Sequence, residues 1–225
     1  MRTETFNFET QNGPTTAYVA LPEAGASAGP AVILIHEWWG INDHIRDIAG
    51  RYADEGFTCV APDLYRGTVA RDQAHASQLM HDLAIEDGIA TITCAVDETK
   101  RKLGSAKMGI TGYCMGGTFA LRAACEIDLF AASAPFYGDI PDEGTLAKLT
   151  VPTLFIAGAR DQWINPEKVN QLKEAAHQYE LPVEVVSYDA DHAFFNDTRP
   201  EVYNAEAAAD AWRRVLNLFR ERMLS

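Results

Sequence analysis

The chain has 225 residues, enough to bury one substantial core and short for two independent domains, so a single domain spanning residues 1–225 is predicted. Hydrophobic residues make up 47% and charged residues 23%, which excludes a disordered or fibrous chain. A formal net charge of -13 opposes nucleic-acid phosphates and anionic lipid, so neither is an expected partner, although a local arginine can still hold a small anion. Residues 1–20 lack a signal peptide's apolar core, and nothing approaches the ~20 apolar residues needed to cross a bilayer, so a cytoplasmic protein is expected. Its oligomeric state is open.

The elements follow in chain order. Thr3 to Phe8 and Thr15 to Leu21 flank Asn12-Gly13, a hairpin turn signal, and predict an antiparallel edge hairpin. A small-residue stretch from Glu23 to Pro30 reads as a loop. Ala31 to Ile35 is a continuous apolar run, as a strand buried on both faces requires. Similar runs occupy Phe57–Ala61, Met108–Thr111, Phe130–Ala134, Thr153–Ala157 and Val183–Tyr188. Helix-compatible stretches lie between them at His44–Glu55, Arg71–Leu103, Thr118–Cys125 and Pro166–Tyr179, and a last one runs from Tyr203 to Met223. Alternating strands and helices predict an α/β fold, a mostly parallel sheet with helices on both faces. Chemistry in such sheets gathers at the carboxyl ends of the strands.

Just past the strand at Met108 stands Gly112-Tyr-Cys114-Met-Gly116-Gly117, then a helix-compatible run. This is the G-x-nucleophile-x-G elbow with Cys in place of Ser. A strand that turns at once into a helix strains the nucleophile's backbone and leaves it at a helix N-terminus, where a thiolate is favoured. The competing reading is a glycine-rich turn around an inert thiol. Cys59, Cys94 and Cys125 read as small buried hydrophobes; no CxxC pair points to a metal, and no cofactor is expected.

A nucleophilic thiol needs a base, and the base an orienting acid. Asp161 follows the strand Thr153–Ala157, and His192 follows the strand Val183–Tyr188, in the acid-then-histidine order of the α/β-hydrolase fold. Asp161 could instead cap the helix beginning near Asn165-Pro166, and Asp189 and Asp191 are rival acids beside His192. Two backbone N–H groups must receive the oxyanion, and Met115 and Trp38 are the candidates. Glu37, in the aromatic loop after Ala31–Ile35, either holds a proton or is simply solvated; Trp38 and Trp39 either frame the site or cap the core.

These segments resemble the dienelactone hydrolase family. The matching stretches are Val32–Gly40, Ala61–Tyr65, Gly112–Gly117, Pro135-Phe-Tyr137-Gly138, Pro152–Gly158 with Asp161, and His192–Phe195. The resemblance implies an α/β-hydrolase fold and a triad of Cys114, Asp161 and His192. It also implies a Glu37 that contacts the resting thiol and takes its proton when substrate binds, and hydrolysis of an ester or lactone without metal or cofactor. A substrate-binding role falls on Tyr137. The family's carboxylate-holding arginine after the histidine is missing; Arg66, Arg71 and Arg199 are the substitutes. A general carboxylesterase or thioesterase, and a non-catalytic binding protein on the same fold, are the alternatives.

Overall fold

A computed structural model describes residues 1–23, 29–104 and 107–224. Most of the loop expected from Glu23 to Pro30 therefore lies outside the described residues. The chain forms two compact units, Met1–Gly109 and Ile110–Ser225, and the division falls inside a strand.

In the first unit β1 (Arg2–Thr10) and β2 (Gly13–Leu21) form the expected hairpin, with Thr10 opposite Gly13. The two-residue loop is Gln11-Asn12, one position before the signal read from the sequence, and Gly13 takes φ 108°, a region open to glycine. β2 pairs antiparallel with β4 (Thr58–Pro62), and β4 pairs parallel with β3 (Ala31–Ile35), giving the order β1-β2-β4-β3. All five residues of β3 and of β4 are buried, which is why their sequence is apolar without alternation. Helix α1 (Asp43–Asp54) is capped by the Asn42 side chain.

The single helix expected over Arg71–Leu103 is two: α2 (Gln73–Asp82) and α3 (Ile85–Leu103). Leu83 and Ala84 are extended between them. The reason is burial. Only Ala76 of α2 is buried, whereas α3 packs Thr91, Ile92, Ala95, Val96 and Thr99 inward, so the two stripes call for different axes.

In the second unit β5 (Met108–Tyr113, whose last four residues belong here), β6 (Phe130–Phe136), β7 (Thr153–Gly158) and β8 (Val183–Tyr188) lie in that order. β6, β7 and β8 are parallel. The helices are α4 (Met115–Glu126), the short α5 (Glu143–Leu146), α6 (Pro166–Gln178) and α7 (Ala205–Met223). α5 has no counterpart in the sequence reading, since one turn carries no periodicity. α7 buries Ala207, Ala211, Val215, Phe219 and Met223, while Leu218 is only half-buried. Among the described residues no helix is long and apolar enough to cross a membrane.

Candidate active site

Cys114 is the single residue between β5 and α4, with φ 56° and ψ -118°. A cysteine at positive φ is strained, and neighbouring bonds hold it there: its N–H donates to the Phe136 carbonyl at 3.1 Å, and its carbonyl accepts the Thr118 N–H at 3.1 Å. Helix and strand come close enough here that a Cβ on Gly117 would lie 2.2 Å from the Phe136 oxygen. One on Gly138 would lie 2.1 Å from the Gly117 carbonyl carbon. Gly138 is a partner the sequence reading left without a physical role. Met115, the first residue of α4, has its N–H at the end where helical donors point outward.

Asp161 and His192 stand just past β7 and β8. His192 Nδ1 lies 2.6 Å from Asp161 Oδ2. The second carboxylate oxygen accepts the N–H groups of Trp163 at 2.8 Å and Ile164 at 2.9 Å. Asp161 is 2% exposed. Burial alone would raise its carboxyl pKa; the His192 bond and charge and the two backbone donors bring it below the ordinary carboxylate range. An ionised carboxylate only accepts, so Nδ1 carries a proton. The helix-cap reading of Asp161 fails, because Asn165 caps α6 with Pro166 at its first turn. Asp189 and Asp191 are taken by Arg160 on the surface.

Burial of the imidazole acts to lower its pKa. The Asp161 bond, the nearby Cys114 sulfur and the Asp161 charge outweigh this and raise it to about 10. Nε2 is buried and makes no bond of ordinary geometry among the described residues, although the sulfur acts on it electrostatically. Burial raises the Cys59 thiol, pushes Cys125 up to about 12 and, with Asp97, raises Cys94.

The loop after β3 belongs to the first unit. Glu37 is 2% exposed, so the solvated alternative fails; Trp38 and Trp39 are half-buried and meet edge to face at 5.2 Å. His36, to which the sequence reading gave no role, fixes this loop. Its Nε2 accepts the Leu64 N–H at 3.1 Å, so Nδ1 carries the proton and donates to the Glu37 carbonyl at 2.6 Å. Gly40 N–H donates to the same oxygen. Fixing that carbonyl fixes the peptide plane shared with the Trp38 N–H.

The expected substrate-binding residues fare differently. Tyr137, 1% exposed, packs its ring 5.1 Å from that of His192 and offers little surface to a ligand. Arg66 is committed to Asp87 through two bonds of 3.0 and 2.7 Å, and Arg199 to Glu201 at 2.8 Å. Arg71 is exposed. A groove of about 590 Å³ opens elsewhere, at the amino ends of β7 and β8 beside Arg213 and Arg214. Asp161 and His192 follow the carboxyl ends of those strands, so this groove does not serve them.

A relative from Aquifex pyrophilus, Protein usf, is 35% identical over 95% of this chain and 96% of its own length. One from Aquifex aeolicus (strain VF5), provisionally named carboxymethylenebutenolidase, is 32% identical over 95% and 96%. A solved structure from Klebsiella pneumoniae subsp. pneumoniae MGH 78578, provisionally described as a dienelactone hydrolase, superposes with a TM-score of 0.90. It is 27% identical and covers 98% of this chain and all of that one, which establishes the α/β-hydrolase fold. With the model of that family also matching residues 15–223, the chain belongs to the dienelactone hydrolase family.

Proposed function

We propose that this protein hydrolyses its ester or lactone substrate through an acyl-enzyme on Cys114, with His192 as proton carrier and Asp161 as its orienting acid. Hydrolysis of ester or lactone bonds follows from the family; the covalent route is the proposal. The observation that carries it is the 2.6 Å bond from His192 Nδ1 to a buried carboxylate, on an imidazole whose pKa the Cys114 sulfur helps raise.

A protonated His192 sets the order of events. The Cys114 thiolate adds to the carbonyl carbon, and the oxyanion is received at the α4 N-terminus, with Met115 N–H as donor. The carbon–oxygen bond to the leaving group breaks as the imidazolium gives that oxygen its proton, leaving an acyl-thioester and a neutral ring. Water then yields a proton to Nε2 and its oxygen to the carbonyl; the thiolate departs and the imidazolium is restored. Glu37 as proton acceptor rests on the family resemblance, and Trp38 as second oxyanion donor on its place in the loop after β3. The whole chain is proposed to act as one domain, since the division between its units cuts β5.

Cys114→Ala should lower kcat/KM by about a thousandfold or more with an unchanged circular dichroism spectrum. Wild-type turnover in that variant would end the proposal. A general carboxylesterase for uncharged acyl compounds is the second reading. It is favoured because two of the three candidate carboxylate-binding arginines are already ion-paired.

A further inference from the structure

The triad leaves one conspicuous side chain unexplained. Trp163 is 56% exposed, yet its indole is held almost parallel to the His192 imidazole, with ring centroids 5.5 Å apart and planes 23° from each other. The imidazole thus meets a buried ring, Tyr137, and an exposed one, Trp163. The indole's position is set by the acid that sets the imidazole. Asp161 Oδ2 faces His192 Nδ1, and Oδ1 accepts the Trp163 backbone N–H at 2.8 Å. One carboxylate therefore places both members of the stacked pair.

The electrostatics of the pair have a direction. The face of an indole is the negative part of its quadrupole, so it attracts an imidazolium more than a neutral imidazole. The groups facing His192 are Asp161 from the β7 loop, Cys114 from the elbow, Tyr137 after β6 and Trp163. Asp189 and Asp191, close in sequence, share the single Arg160 guanidinium at the surface, so one of their two negative charges stays uncompensated, screened by solvent.

We infer that Trp163 is a positioning residue for the hydrolysis: its indole covers the His192 imidazolium, holding the ring in one orientation and favouring the protonated form that donates to the departing oxygen. This rests on the triad reading above and adds a selectivity. An alkyl or phenyl ester, whose leaving oxygen is strongly basic, needs that proton as the carbon–oxygen bond breaks. A p-nitrophenyl ester releases a stable anion without it. The indole therefore extends the enzyme's range toward unactivated esters.

Trp163→Ala removes the indole but keeps the backbone bond to Asp161, and Trp163→Phe keeps a weaker aromatic face. With phenyl acetate, Trp163→Ala should lose about threefold to tenfold in kcat/KM, with p-nitrophenyl acetate clearly less, and Trp163→Phe should fall between it and wild type. Independently of turnover, an imidazolium quenches a stacked indole. Wild-type tryptophan fluorescence should thus show a pH-dependent step that disappears in Trp163→Ala, Trp163→Phe and His192→Gln. Equal losses on both esters, or a step that survives in Trp163→Ala, would overturn the inference. Failure of the triad reading shows differently, as turnover surviving in Cys114→Ala. The fluorescence step, measured in that same variant, still reports the indole–imidazole pair.

Discussion

His192 shows how one residue's surroundings set its chemistry. A free imidazole titrates near 6.5, and burial would lower that figure; the carboxylate at 2.6 Å and the sulfur together raise it to about 10. The consequence for stability has a definite sign. A group whose folded pKa lies above its unfolded one stabilises the fold fully below pH 6.5, and that contribution is lost as pH rises through about 10. Asp161 works oppositely: its folded pKa lies below 3.8, so its contribution is present above that pH and is lost on acidification. The difference in Tm between wild type and His192→Gln should accordingly shrink from pH 6.5 to pH 10. A difference that stays constant across that window would mean that folding does not favour the imidazolium over the neutral ring. The residues of this pair were legible in the sequence by their order after two strands. The Trp163 stack was not, because an exposed tryptophan in a loop carries no periodic signal.

At the scale of elements, the elbow depends on how closely α4 and β6 approach. The would-be Cβ of Gly117 meets backbone atoms, the Phe136 oxygen at 2.2 Å and the Gly138 nitrogen at 3.0 Å, and neither can swing aside as a side chain could. Gly117→Ala therefore has to push the helix away from the strand. Because Cys114 N–H is bonded to that same Phe136 oxygen, the nucleophile moves with it. Urea denaturation should show a loss of about 1–3 kcal/mol or more, with turnover falling as well. Gly144→Ala is the control, since its nearest atom is a side-chain oxygen of Asp142 at 3.2 Å. Equal stability of the two variants would refute this account of the approach. The central strands were readable because a buried strand must be apolar throughout, and all eight were placed within about two residues. The break between α2 and α3 was not readable, because no proline or glycine marks it and only the differing burial of the two helices demands it.

Over the whole molecule, 32 acidic residues against 19 basic ones produce a field that repels anions. If the substrate is uncharged, its kcat/KM should be nearly independent of ionic strength. A carboxylate-bearing lactone should be turned over more slowly at low salt and gain as salt is raised toward ~0.15 M, where screening acts over ~8 Å. Faster turnover of the charged lactone at low salt would instead reveal a local cation that overcomes the field. Of the sequence's three candidates for that cation, the sequence could not see that Asp87, 21 residues beyond Arg66, takes that guanidinium in a half-buried fork.

By itself the sequence determined the strand and helix alternation, the cysteine elbow, and the order in which an acid and a histidine follow it. Each of these is written in neighbouring residues, through burial, backbone strain or spacing. Only the tertiary structure decided which groups touch: Gly117 with Gly138, Trp163 and His192 on one carboxylate, His36 on the Glu37 carbonyl, Arg66 on Asp87. Such contacts depend on distances of a few ångströms between segments far apart in the chain, and no local pattern encodes them.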